Sequence, residues 1–112
     1  MSSNYIPKRG DIVWLANVTG DSNPEQEERK QALVISPVEY NRKTDLALFC
    51  PIKAKVKGYP FEVVIPDDLK TKGIILADQV KSLNWKIRNA EYICTLPDEK
   101  FSEVISKLGT LI

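Results

Sequence analysis

Any chemistry in this chain has to work without imidazole, because its 112 residues include no histidine. That excludes a Ser-His-Asp triad, a Cys-His pair, histidine-ligated zinc and RNA cleavage by paired histidines. Proton transfer falls instead to Asp, Glu, Lys, Arg, Tyr, a hydroxyl or Cys. Cys50 and Cys94 are too few and too far apart for a zinc knuckle. Both lie in apolar runs, which points to two buried free thiols in a reducing cytoplasm. Charged candidates gather in three places. The polar stretch from Thr19 to Lys30 carries Glu25, Gln26, Glu27, Glu28, Arg29 and Lys30. Lys53, Lys55 and Lys57 alternate ahead of Gly58-Tyr59-Pro60, a spacing that suits phosphate contact and equally suits a solvated loop. Asp78-Gln79 interrupts an apolar run, which a turn or bulge with satisfied hydrogen bonds would explain. Trp14, Trp85 and Phe61 could stack on bases. Core packing is the expectation for Trp14, between Val13 and Leu15, and for Phe61.

These residues need a scaffold, and the composition is that of an ordinary globular domain. The chain is 43% hydrophobic and 28% charged, with sixteen Lys and Arg against fifteen Asp and Glu for a formal net charge of +1. One domain over residues 1–112 is expected, with enough apolar residues to exclude disorder. No apolar run could span a bilayer, and the N-terminus lacks the basic and apolar regions of a signal peptide, so a cytoplasmic protein without membrane contact is expected. Strands are expected over Gly10 to Val18, Ala32 to Ile35, Leu46 to Cys50 (closed by Pro51), Phe61 to Ile65, Gly73 to Ala77, Val80 to Leu83 and Glu91 to Leu96. Tyr40 to Asp45 reads as a turn, Lys53 to Pro60 as a basic loop and Pro66 to Lys72 as a polar turn. The C-terminus differs: Phe101, Val104, Ile105, Leu108, Leu111 and Ile112 form one apolar stripe at the helical period. Pro97 starts that helix, and Asp98 and Glu99 complement its dipole. The fold class is therefore mainly β with a C-terminal helix, a small β-barrel closed or capped by that helix.

Several segments, taken together and in order, resemble one family. They are Tyr5-Ile6-Pro7-Lys8-Arg9-Gly10-Asp11-Ile12-Val13-Trp14, Ala32-Leu33-Val34-Ile35-Ser36-Pro37, Tyr40-Asn41-Arg42-Lys43-Thr44, Lys57-Gly58-Tyr59-Pro60-Phe61-Glu62-Val63-Val64 and Leu76-Ala77-Asp78-Gln79-Val80-Lys81-Ser82-Leu83-Asn84-Trp85. Over nearly its whole length the chain resembles the MazF/PemK toxins of bacterial toxin–antitoxin modules. The resemblance implies an SH3-like barrel that forms a twofold homodimer. It implies a metal-independent endoribonuclease, with no cofactor, that cuts single-stranded RNA at short sequences. There the 2′-hydroxyl attacks the adjacent phosphate to give a cyclic phosphate and a free 5′-hydroxyl. A cognate antitoxin with an acidic, disordered tail covers the RNA groove, and the Asp78-Gln79 stretch borders that groove, where a Gln amide can read base edges.

The chain departs from the family pattern at the catalytic positions. The family's Glu-Gln-x-Gly-x-Arg-Pro loop is here Glu25-Gln26-Glu27-Glu28-Arg29-Lys30-Gln31, so Glu25 and Gln26 match while Lys30 stands at the Arg position. The family's Thr, two residues after a strand-ending Pro, is replaced by Lys53 after Pro51. The resemblance thus assigns Glu25, Lys30 and Lys53 to catalysis, and Gln26, Arg29, Lys55, Lys57, Asp78 and Gln79 to RNA contact. Three readings stay open. Lys30 and Lys53 serve in place of Arg and Thr, as point charges without the bidentate fork of a guanidinium. Or Arg29 reaches the phosphate, against which strand alternation argues. Or catalysis is lost, a reading that the acidic Glu25, Glu27 and Glu28 favour, and the protein acts by binding an antitoxin or a homologue. Related barrels that poison DNA gyrase share the fold, but the Gly58-Tyr59-Pro60 and Asp78-Gln79 segments favour the nuclease branch.

Overall fold

A computed structural model describes residues 5–16, 29–55 and 58–112. The described residues form β1 (Asp11–Ala16), β2 (Arg29–Val34), α1 (Val38–Thr44), β3 (Leu46–Lys53), β4 (Glu62–Val64), β5 (Ile74–Leu76), β6 (Lys81–Asn84), β7 (Glu91–Thr95) and α2 (Asp98–Gly109), with one 3₁₀ turn at Ala77–Gln79. The strands make one seven-stranded antiparallel sheet in the order β4-β5-β3-β2-β1-β7, and β6 pairs with β3 off that path. The mainly β class with a C-terminal helix is as expected. Among the described residues β4 and β7 are the edge strands of that path, each paired on one side only, and α2 caps the sheet.

Two apolar clusters lie on opposite faces because side chains alternate along each strand. Ile12, Leu33, Cys50, Val63 and Ile75 pack with Val104 of α2 on one face, supported by Phe101, Ile105 and Leu108. Val13, Leu15, Ala32, Val34, Phe49 and Trp85 form the other cluster. The helical stripe therefore packs as expected as far as Leu108. Leu111 and Ile112, assigned to the same stripe, lie beyond the end of α2 and are exposed, because the helix stops at Gly109.

Four further expectations are corrected. Tyr40 to Asp45 is not a turn but most of α1, a seven-residue helix too short to show a full period in sequence. Pro37 precedes it, Glu39 and Arg42-Lys43 match its dipole, and Asp45 ends it in the left-handed region at φ 60°. Pro51 does not close β3. It falls where β3 exchanges one neighbour for another, between Phe49↔Lys81 with β6 and Ile52↔Ile75 with β5, an irregular position where a missing ladder donor is tolerated. Trp14 is not in either cluster; it is half-buried beneath the Arg29 guanidinium, 4.8 Å from the ring centroid. Phe61 likewise is half-buried and belongs to neither cluster.

Buried polar groups tie the N-terminal lead-in to the sheet. The wholly buried Asn41 side chain donates to the Pro7 carbonyl at 2.8 Å and to the Ser36 carbonyl at 3.1 Å, and accepts from the Ser36 hydroxyl. The Trp85 indole donates to the Asn41 carbonyl at 2.9 Å. Asp11, also fully buried, accepts from the Tyr5 hydroxyl and the Lys8 N–H. Burial first, then this hydrogen bond and the charge of Asp11, raise the Tyr5 phenol above its ordinary value.

Both cysteines are free thiols, Cys50 buried and Cys94 half-buried, so the expectation of two buried thiols holds fully only for Cys50. Burial, with a smaller contribution from the Asp78 charge, pushes Cys50 up from 9.0 to about 12. Below about pH 9 the folded and unfolded thiols are both protonated. Above it only the unfolded state loses the proton, so stability falls as pH rises through that window. Urea midpoints are expected to drop between about pH 8 and 10, and Cys50→Val is expected to shrink that drop, whatever its effect on absolute stability.

Candidate functional site

The two lysines at the departing positions are brought together by register and parity. The β2–β3 ladder runs through Val34↔Phe49, Leu33↔Cys50 and Ala32↔Pro51. Beyond that last pair, Lys30 and Lys53 each lie two residues further along β2 and β3. Lys30 has the parity of Ala32 and Val34, and Lys53 that of Ala47 and Phe49, so both project from the face that packs around Trp85. Accordingly, Lys30 and Lys53 line one cavity of about 240 Å³, floored by Leu15, Ala32 and Phe49. Lys81 of β6 and Arg88 complete its rim together with Gln79, and no carboxylate lines it among the described residues. Four cationic groups around one apolar floor make a site for an anion.

Arg29 has the opposite parity. Its guanidinium lies over Trp14 and bonds the Glu91 carboxylate at 2.9 Å across the sheet. The pair is solvent-exposed and contributes modestly to stability, but it holds Arg29 away from the face that Lys30 occupies. Beyond Ala32↔Pro51, residues Arg29 to Gln31 and Ile52 to Ala54 line a second cavity of about 290 Å³, joined by Lys72 from the β4–β5 loop. Lys72 donates from its ammonium to the Asp67 carbonyl.

A third cavity, about 440 Å³, opens on the other side of Lys53. Its walls include Lys55, Tyr59, Glu62, Asp78 and Gln79 over Ile74 and Leu76. Glu62 is buried and accepts the Gly58 N–H at 3.0 Å, while its carbonyl accepts from the Lys107 ammonium at 2.9 Å. Asp78 and Gln79 sit on the exposed 3₁₀ turn, as the interruption in the apolar run requires. Lys53 is thus shared by all three cavities, and Gln79 by two. Gly73 fixes the end of β3 from below. Its φ is 125°, and a Cβ there would lie 2.3 Å from the Lys53 carbonyl oxygen, so only glycine fits.

Of the residues assigned from sequence, Lys30, Lys53, Lys55, Asp78 and Gln79 line this connected groove, and Arg29 enters only its outer end. Glu25, Gln26 and Lys57 lie outside the described residues. Sequence reasoning did not single out Lys72, Lys81, Arg88, Tyr59 or Glu62. Tyr59, Glu62 and Lys81 lie in segments that carry the family resemblance, a signal that could have found them, whereas nothing local marks Lys72 or Arg88.

Comparison with known proteins agrees with the fold. The family model described as "PemK-like, MazF-like toxin of type II toxin-antitoxin system" matches residues 8–112. The chain is 38% identical over 112 residues to the endoribonuclease toxin MazF of Escherichia coli K12, covering 100% of this chain and 99% of that protein. It is 26% identical over 111 residues to the Escherichia coli endoribonuclease PemK, covering 94% of this chain and 81% of that one. A crystal structure of MazE-MazF from Deinococcus radiodurans superposes with a TM-score of 0.85 at 44% identity, covering 96% of each chain. With its sheet, capping helix and sequence all in agreement, the chain belongs to the PemK-like, MazF-like family of type II toxin–antitoxin toxins.

Proposed function

We propose that this protein is an endoribonuclease toxin that cuts single-stranded RNA without a metal ion, acts as a homodimer and is neutralised by an acidic antitoxin. The observation that carries the reading is the convergence of Lys30 and Lys53, with Lys81 and Arg88, on one cavity free of carboxylates among the described residues. Cleavage through the 2′-hydroxyl needs three services. A base takes the 2′-hydroxyl proton as that oxygen bonds to phosphorus. Positive charge stabilises the phosphorane. An acid protonates the departing 5′-oxygen as its bond to phosphorus breaks. The Lys30 and Lys53 ammonium groups supply charge, and one of them supplies the leaving-group proton. Glu25 takes the proton from the nucleophile. Lysine gives up the planar fork of Arg, so the phosphate is held by point charges from several sides and not by one bidentate contact. The kinship with toxins of toxin–antitoxin systems supports an antitoxin partner, whose acidic tail would compete with RNA for the same cations. Among the described residues no helix is long and apolar enough to cross a membrane.

A second reading has its own observation. Both departing positions carry amines, and the neighbouring Arg29 is engaged with Glu91 and Trp14. In that reading the protein binds RNA or antitoxin without cutting. One experiment separates the two. Purified protein is incubated with a long single-stranded RNA in excess EDTA, and the fragment ends are analysed. Specific cuts ending in 2′,3′-cyclic phosphate, lost with Glu25→Ala, are the expected result. No cuts from the natural chain, with cutting gained by Lys30→Arg plus Lys53→Thr, would establish the binding-only reading.

A further inference from the structure

We propose that the cavity lined by Lys30, Lys53, Lys81 and Arg88 is also a site for a free di- or triphosphate chain, which excludes RNA while it is bound. The competition with RNA rests on the reading above, whereas the binding itself does not. Among the described residues the ion pairs are Arg29–Glu91, Lys100–Glu103 and Lys107–Glu103. None of them involves the four cavity cations, and no carboxylate of the described residues lines their cavity. An internal phosphate of RNA is a diester with a single negative charge, and a ribose separates it from the next. A terminal phosphate carries about −1.5 to −2 near pH 7, and phosphates joined through a bridging oxygen add their charge within the same small volume. A compact polyphosphate therefore matches the charge of the cavity more closely than one RNA phosphate does.

Size and surroundings agree with the charge. At about 240 Å³ the cavity is smaller than the roughly 300–1,000 Å³ of sites that enclose a whole organic ligand, so it takes the phosphates and leaves any attached nucleoside outside. Its floor of Leu15, Ala32 and Phe49 is buried and apolar, which strengthens the charge interactions above it. The cations come from β2, β3, β6 and the turn between β6 and β7, so they meet an anion from several sides. Lys30 and Lys53 also line the neighbouring cavity that holds Lys72. The Lys72 ammonium donates to a backbone carbonyl and forms no ion pair among the described residues, so the row of cations continues for a longer chain. A chain seated there leaves no place for the phosphate of an RNA strand.

The test is calorimetric titration of the natural protein with sodium tripolyphosphate, inorganic phosphate and ATP, in EDTA at matched low ionic strength. Tripolyphosphate is expected to bind about 100-fold or more tighter than inorganic phosphate, since each added charge-assisted contact is worth about 10-fold or more. ATP bound within about 10-fold of tripolyphosphate identifies nucleoside triphosphates as a source, and weaker binding of ATP restricts the site to the inorganic chain. Two variants each remove one positive charge. Lys81→Gln, in the cavity, is expected to weaken tripolyphosphate by about 10-fold or more, and Lys43→Gln, exposed on α1, by less than about 2-fold. Tripolyphosphate is also expected to displace a fluorescent 2′-O-methyl oligonucleotide, read by anisotropy without cleavage because the nucleophile is blocked. Equal affinity for tripolyphosphate and inorganic phosphate, or equal losses from the two variants, would overturn the site and leave the RNA reading standing. So would an oligonucleotide that stays bound at saturating tripolyphosphate. Tripolyphosphate bound as expected by a protein that binds no oligonucleotide would support the site and overturn the RNA reading instead.

Discussion

Lys53→Ala is expected to lower the rate of RNA cleavage by about 10²–10³-fold, the usual cost of losing one well-placed electrostatic contact to a developing charge. Lys53 is the only residue that lines all three described cavities, so its removal leaves the phosphate without the cation that shares a cavity with Lys30. The matched control is Arg29→Ala. Although the guanidinium is the better phosphate ligand in general, here it lies over Trp14 and bonds Glu91 on the other face of β2. Its loss is expected to change the rate by less than about 3-fold, since an exposed ion pair contributes little. Single-turnover cleavage of a defined RNA, with urea midpoints confirming that both variants fold, measures the contrast. Equal losses from the two variants would mean that Arg29 leaves its Glu91 partner to meet RNA, and that strand parity does not decide the site.

The largest stability loss is expected from Asn41→Ala. Its buried amide satisfies two carbonyls and the Ser36 hydroxyl, in a region that water does not reach. Truncation leaves those groups unpaired and opens a void, at a combined cost of about 3 kcal/mol. For a domain of this size that lowers the melting temperature by roughly 10–20 °C. The Ser36 hydroxyl also accepts the Leu48 N–H at 2.9 Å, so the two polar residues form one network. Asn41→Ala and Ser36→Ala should therefore combine to less than their sum, a coupling that a double-mutant cycle by thermal unfolding reads directly.

Particular residues show what could be read from sequence. The strand around Ile12-Val13-Trp14-Leu15 and the stripe Phe101, Val104, Ile105, Leu108 were legible, because each repeats long enough to reveal its period. The helix at Val38–Thr44 was not, since two turns interrupted by a buried Asn look like a polar turn. Pro51 misled for a different reason: a rule about ladder donors says nothing about a strand that changes partners at that residue. In the site, family motifs located positions 30 and 53, but the choice between Arg29 and Lys30 needed parity and the Glu91 partner from β7, sixty-two residues away. Lys72 and Arg88 reach the same groove from separate elements, and no local pattern in the sequence connects them.

Gly73 has a consequence for how such a groove can diversify. Because a side chain at this position would meet the carbonyl of the central lysine, the two chain segments lie too close to admit any residue but glycine. A lineage that re-routed either segment would misplace its principal cation before gaining anything. If the groove holds RNA as proposed, changes in which RNA is chosen fall on side chains along the rim, on an inherited backbone track.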